Sequence, residues 1–338
     1  MRFDMRAPAI GAPATALYPA AVEQVAWADR LGFETVYFGE HHGAEDGYLP
    51  SPIVFGAALA GCTKRIEIHI SALVITLHDP IRLAEDLAIL DLVSEGRLSI
   101  TAAMGYRPHE FEIFGLDVGD RVQRYKDVLA TLREAWTGEP FAYRGTIVQV
   151  RPTPARDGGP RLYLGGSTEV SARRAARLGL GYRPAVPALY ERYEEELRAR
   201  GLEVPERGPR PMPTFLYVSD DPERDWQAVG PHLLYNVNVY ADWARERGGG
   251  STKWRPTDSI DELRGNEQFR VLTPDECVEF ARKLPDDAEL RFNPLMGGLD
   301  PEIAWRSLEL FERKVLPVLE AEGLHARAAE APLAAPAR

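Results

Sequence analysis

Two periods alternate along most of the chain. Short runs rich in β-branched and aromatic residues are followed by longer segments with apolar positions every three or four residues, the order expected of parallel βα units. Strands are predicted at residues 2–6, 35–39, 66–74, 98–102, 161–164, 180–182, 214–218 and 289–292. Helices are predicted at 19–31, 52–60, 81–93, 122–136, 187–200, 222–242 and 301–318, with a further one ending at Leu178. Gly32 closes the first helix, Asp79-Pro80 opens the one at 81–93, and Thr273-Pro274-Asp275-Glu276 opens another as a capping box. Eight strands, each followed by a helix, predict an α/β fold, a (β/α)8 TIM barrel, with insertions after strands four and seven. The first insertion is a small hairpin at 141–150 around Arg144-Gly145. The second, 245–270, holds Gly248-Gly249-Gly250, many charges and little periodicity, and reads as a lid-like loop. One domain is expected over 1–320, followed by a frayed tail at 321–338 made mostly of Ala, Pro and Arg.

Composition narrows the class. With 338 residues, 45% of them hydrophobic, the chain suits a single barrel, for which about 250 residues is usual. A net charge of -11 without clustered Lys or Arg argues against nucleic-acid and membrane partners. Cys62 and Cys277 are far apart and each falls in a predicted helix, against a disulfide framework or a Cys-based zinc site. The chain starts without a signal-peptide pattern and has no run of roughly 18 apolar residues, so a cytoplasmic protein is expected.

The chemistry falls at strand exits, where α/β barrels carry their active sites. Glu40-His41-His42 directly follows strand two. A metal pair is one reading, but adjacent side chains on an extended segment point apart and no further ligand has suitable spacing. The other two are a structural pair, with one imidazole bonded to a carboxylate such as Glu40, and acid/base work at a cofactor. Gly165-Gly166-Ser167-Thr168, with Ser171 one turn on, lies between a strand and a helix and forms a phosphate cradle; an ordinary capped helix is the alternative. Arg121 could reach a phosphate there or be a surface arginine. Gly105 allows close approach of a planar ligand on which Tyr106 could stack, or the two form a tight turn. Met104 reads as a core filler, His69 as a satisfied core or interface residue and His78 as structural. His109, His232 and His325 carry no signal. Gly-x-Ser-x-Gly and Walker-type loops are absent, and no Gly-x-Gly-x-x-Gly follows strand one.

Several linked motifs go further: Gly32-Phe33 through Glu40-His41-His42; Thr76-Leu77-His78-Asp79-Pro80 through Asp86; Leu90-Asp91-Leu92-Val93-Ser94-Glu95-Gly96-Arg97-Leu98; Gly105-Tyr106-Arg107-Pro108-His109-Glu110-Phe111 with Phe114-Gly115; and Gly165 to Gly179. In this order they resemble the bacterial luciferase-like superfamily of flavin-dependent monooxygenases, from residue 3 to 319. The resemblance implies an eight-stranded barrel with reduced FMN at its C-terminal mouth, assembled as a homodimer. It implies that His41 sits beside the reactive edge of the isoalloxazine, with Glu40 orienting it. It implies that Arg121, Ser167, Thr168 and Ser171 hold the phosphate with Gly165 and Gly166, that Gly105 and Tyr106 meet the flavin, and that a cis Ser71-Ala72 peptide lies beneath it. One departure is Met104, where many relatives carry arginine. An NAD(P)H-dependent flavin reductase is the implied supplier of reduced FMN. Reaction with O2 to a C4a-(hydro)peroxyflavin would then oxygenate a small hydrophobic substrate. The same superfamily also accepts F420 for hydride transfer, and a non-catalytic flavin-binding protein is a further alternative. Pocket walls are expected from residues 7–17, the 245–270 insertion and the loop after strand eight; Trp254 and Phe269 could line the pocket or pack the loop down.

Overall fold

The computed structural model describes residues 1–184, 186–205, 207–208, 210–246, 255–285 and 287–325. Its strands are β1 (Arg2–Phe3), β2 (Thr35–Phe38), β3 (Glu67–Val74), β4 (Leu98–Ala103), β5 (Phe141–Tyr143), β6 (Thr146–Val148), β7 (Arg161–Gly166), β8 (Gly181–Pro184), β9 (Arg210–Met212), β10 (Phe215–Val218), β11 (Phe269–Leu272) and β12 (Ala288–Leu290). A parallel sheet runs β1-β2-β3-β4-β7-β8, and β9 pairs in parallel with β12. The Arg2 N–H donates to Phe292 O just past β12, and Gly208 before β9 packs beside Arg183 of β8, which brings the eight strands into a barrel. The predicted hairpin is the antiparallel β5-β6 pair.

Alternation within the strands sets inside and outside. Val36, Phe38, Ile68, Ile70, Leu98 and Ile100 are fully buried in the main hydrophobic core, while the alternate positions are polar. His69 Nδ1 lies 2.5 Å from Ser99 Oγ and its Nε2 lies 2.8 Å from Thr101 Oγ1; Tyr37 Oη donates to Glu289 at 2.9 Å. His69 is thus the satisfied core residue expected from the sequence, and burial, assisted by Arg183, Arg161 and Arg2, holds its pKa well below the usual imidazole value.

The helices are α1 (Ala14–Arg30), α2 (Pro52–Cys62), α3 (Pro80–Val93), α4 (Pro108–Ile113), α5 (Arg121–Ala135), α6 (Glu169–Leu178), α7 (Leu189–Ala199), α8 (Pro222–Glu246), α9 (Ile260–Arg264), α10 (Pro274–Arg282), α11 (Pro301–Leu310) and α12 (Leu316–Ala321). Helix α1 begins well before Pro19, which lies inside it, and a π turn at Phe311–Val315 separates α11 from α12. Thr273 and Glu276 form the expected capping box on α10. Among the described residues no helix is long and apolar enough to cross a membrane.

Two expectations are corrected. The strand at 214–218 is not the seventh barrel strand: β9 holds that position, and β10 pairs with β11 outside the barrel. All four β10 residues are buried, so its apolar signal outweighs that of Arg210-Pro211-Met212. The second insertion is not a structureless lid where it is described, because it contains α9 and the start of β11, and Phe269 is packed in a core cluster. Gly248-Gly249-Gly250, Trp254 and the tail beyond residue 325 lie outside the described residues.

Candidate active site

At the exit of β2, Gly39 permits close packing of the backbone. A Cβ there would lie 3.0 Å from Ser71 O, and the Ser71–Ala72 peptide it faces is cis. Glu40 is buried and accepts from Val74 N–H at 2.5 Å, His78 Nε2 at 2.8 Å and His42 Nε2 at 3.0 Å. Burial pushes the Glu40 carboxyl up, but the bonds and charge of His42 and His78 outweigh it and hold the pKa below the ordinary value. For His78 burial disfavours the charged ring, and Glu40 more than compensates, so its pKa is raised. Glu40 therefore ties the exits of β2 and β3 together and does not orient His41, contrary to the expectation above. In an extended segment alternate side chains share a face, so Glu40 turns with His42 while His41 points the other way.

The partner of His41 is Glu110, whose Oε1 lies 2.7 Å from Nδ1. Glu110 is fully buried on α4, also accepts the His42 N–H at 3.2 Å and lies 3.6 Å from Arg107 Nη1. Glu110 engages Nδ1, and Nε2 has no protein partner among the described residues. The ring sits against Trp243, Tyr48 and Tyr106 at centroid distances of 4.6, 4.8 and 5.9 Å. Trp243, from α8, lies between two guanidinium groups: Arg107 at 4.3 Å and Arg6 at 4.4 Å. Arg6 is completely buried, bonded through Nη1 to Asp46, and packed against Tyr48 and Tyr240. His41 is thus surrounded by aromatic rings, with two guanidinium groups stacked on the nearest of them.

On the other side of the mouth, Gly165 and Gly166 belong to β7, paired with Arg183 and Pro184, so only Ser167 and Thr168 form the loop. A Cβ on Gly166 would fall 2.4 Å from Ser171, and the glycine serves close packing of α6 on the strand. Thr168 and Ser171 form a reciprocal capping box, and Ser171 Oγ also lies 2.9 Å from Tyr182 Oη. These two hydroxyls are engaged within the helix end, the ordinary cap weighed above. The exposed Ser167 and the amides of Glu169 and Val170, which have no turn before them, remain for an anion. Arg121 at the start of α5 turns back to donate to Val118 O at 2.7 Å. At Gly105 a Cβ would meet Val74 and Phe111 side chains at 2.8–2.9 Å, so this glycine answers a protein contact as well as its positive φ.

Glu40 and His41 thus follow β2 and Gly105 and Tyr106 follow β4, with Ser71 and Ala72 inside β3 level with the end of β2, and Gly165, Gly166, Ser167, Thr168 and Ser171 gather at the end of β7. Glu110, Arg107, Arg6, Tyr48 and Trp243 were not read from the sequence as site residues. Pro108 at the first position of α4 was the available signal for Glu110, since proline favours a helix start there. No local signal marks Trp243, which reaches the site from α8.

A model of the luciferase-like monooxygenase family matches residues 2–281. The oxygenase component of a flavin-dependent trigonelline monooxygenase from Acinetobacter baylyi is 26% identical over 240 residues, which span 67% of this chain and 66% of that protein. The solved structure of monooxygenase RslO1 from Streptomyces bottropensis has a TM-score of 0.73 and 24% identity, covering 94% of this chain and 99% of that one. The oxygenating constituent of 3,6-diketocamphane monooxygenase from Pseudomonas putida, in complex with FMN, has a TM-score of 0.72 and 19% identity, covering 93% and 96%.

Proposed function

The chain belongs to the luciferase-like monooxygenase family and is a flavin-dependent monooxygenase, and on that premise we propose that its flavin is reduced FMN, used with O2 to oxygenate a small hydrophobic organic substrate. The observation that carries this reading is His41, its Nδ1 held by a buried carboxylate and its ring set among Tyr48, Tyr106 and Trp243 just past the end of β2. Neighbouring strands lie about 4.8 Å apart, so the exits of β2 and β7 are about 14 Å apart along the sheet. That span suits a long cofactor with a ring at His41 and a phosphate at α6.

The residues fit such a group. Ser167 and the first amides of α6 offer donors for a phosphate, with Gly165, Gly166, Thr168 and Ser171 building the helix end and Arg121, at the start of α5, as a further candidate. Ser71, Ala72, Gly105 and Tyr106 form the ledge for the ring. When bound, reduced flavin supplies the electrons that activate O2 for transfer of one oxygen atom. His41 holds or moves a proton at Nε2, Glu110 fixes its tautomer and direction, and Glu40 braces the loop that carries it. Tyr48, Tyr106 and Trp243 pack around the His41 ring and limit the access of water to it. The aromatic wall favours a hydrophobic substrate. A separate NAD(P)H-dependent flavin reductase supplies the reduced cofactor; the relative from Acinetobacter baylyi is itself named as an oxygenase component. A homodimer is supported by exposed Val54 on α2 and exposed Ile89, Leu92 and Val93 on the adjacent α3.

Anaerobic titration with reduced FMN and reduced F420, followed by oxygen, tests the reading. Reduced FMN should bind, and oxygen should produce a long-lived absorbance unlike that of free reduced or oxidised flavin. Selective binding of F420 would instead assign hydride transfer, and binding of neither would leave a non-catalytic barrel.

A further inference from the structure

We propose that Arg174, on the second turn of α6, is the cation that grips the phosphate of the bound flavin. The phosphate site rests on the function proposed above; the new claim is the residue that supplies its charge, and the element that carries it.

Register brings the parts together. Ala102 of β4 pairs with Leu164 of β7, so Met104, just past the end of β4, comes level with Gly166 at the end of β7. Gly166 is in turn packed against Ser171 of α6. Arg174 lies three residues beyond Ser171, and helical side chains lean towards the helix N-terminus, so its guanidinium returns towards the cradle. Its Nη1 reaches 3.2 Å from Met104 Sδ. The guanidinium therefore bridges from α6 to the end of β4, beside the strand end that precedes Ser167.

Its partners there are poor. A thioether is a weak, uncharged acceptor, and the guanidinium carries five N–H donors. No carboxylate lies within ion-pair distance of Arg174 among the described residues, whereas the next-door Arg173 pairs with Glu169 at 3.1 Å. Arg174 is also half-buried, where donors without good acceptors are costly. Arg121, the arginine singled out from sequence, bends back onto Val118. A phosphate at the α6 N-terminus would meet the Glu169 and Val170 amides, the Ser167 hydroxyl and a planar cation able to bond it bidentately. The methionine at 104 fits this arrangement, because an arginine there would compete for the space and charge that Arg174 supplies.

The test compares FMN with riboflavin, which lacks the phosphate, by fluorescence titration of the full chain. Wild type should bind FMN at least tenfold more tightly than riboflavin. R174M should lose roughly 10- to 100-fold in FMN affinity, the range for one charge-assisted contact, with riboflavin affinity unchanged. R173M should leave both unchanged, and the double variant M104R/R174M should recover part of the FMN affinity by supplying the charge from β4. The proposal is overturned if R174M binds FMN like wild type, if it loses riboflavin equally, or if R173M has the same effect. If wild type itself does not prefer FMN to riboflavin, the phosphate reading falls together with the proposal.

Discussion

The imidazole of His41 and the carboxylate of Glu110 meet at 2.7 Å although 69 residues separate them in the chain. The loop after β2 presents the ring, and the short helix α4 in the loop after β4 presents the acid. Because Glu110 is buried and also holds the His42 amide, the pair is fixed before any ligand arrives. His41→Ala should keep flavin affinity within about twofold and lose most oxygen-dependent turnover. Glu110→Gln should reduce turnover by roughly 10- to 100-fold, the usual cost of losing a group that orients a functional histidine. In the double variant the two losses should not add, since both act through one nitrogen. Stopped-flow oxidation of bound reduced flavin would measure all three, and additive losses would separate Glu110 from His41.

Glu40 and His78 make a pH prediction. The Glu40 carboxyl is lowered from 4.5, so its stabilisation is present above that value and is lost as pH falls through the lower folded pKa. His78 is raised from 6.5, so its contribution is complete below that value and is lost as pH rises through the higher folded pKa. The difference in thermal midpoint between wild type and Glu40→Gln should therefore be greatest between pH 4.5 and 6.5. A difference that is flat from pH 4 to 8 would contradict the ion pair.

His69 has the opposite sign. Held neutral inside the barrel, it cannot take up the proton that an unfolded chain accepts below its ordinary pKa of 6.5. Wild-type stability should fall as pH drops below 6.5. His69→Asn, which keeps one hydrogen bond to the Ser99–Thr101 pair and cannot charge, should lower stability at pH 8 and flatten the acid limb. Denaturant midpoints at pH 8, 6.5 and 5.5 would check it; parallel limbs in the two proteins would count against His69 as the group responsible.

The outer face of α2 and α3 makes a prediction about assembly. Charge at a buried apolar interface is costly, whereas on a free surface it is nearly neutral. Ile89→Glu with Val93→Glu should convert a homodimer into monomer in sedimentation velocity, with little change in circular dichroism. If wild type sediments as a monomer, this face is not a homodimer interface.

Much of the barrel was legible because period and punctuation are local. The alternation from Val36 to Phe38 and from Ile66 to Ile70, the proline and aspartate that start α3, and the Thr273 capping box each act within a few residues. Glu40-His41-His42 was legible as a site for the same reason: a strand exit can be recognised from its own flanks. The seventh strand was misread because β10 buries every residue in a side sheet, and apolarity reports burial without saying which sheet provides it. The partner of His41 was misread because nearness along an extended chain is not nearness in space: Glu40 faces away, towards His42 and His78. The sequence by itself determined the fold class, the strand exits and the residue types available for chemistry, since these depend on local conformational preference. Only the tertiary structure decided that Glu110 holds His41, that Trp243 covers it between two arginines, and that Arg174 reaches Met104, because burial and long-range packing choose among partners that sequence spacing leaves equivalent.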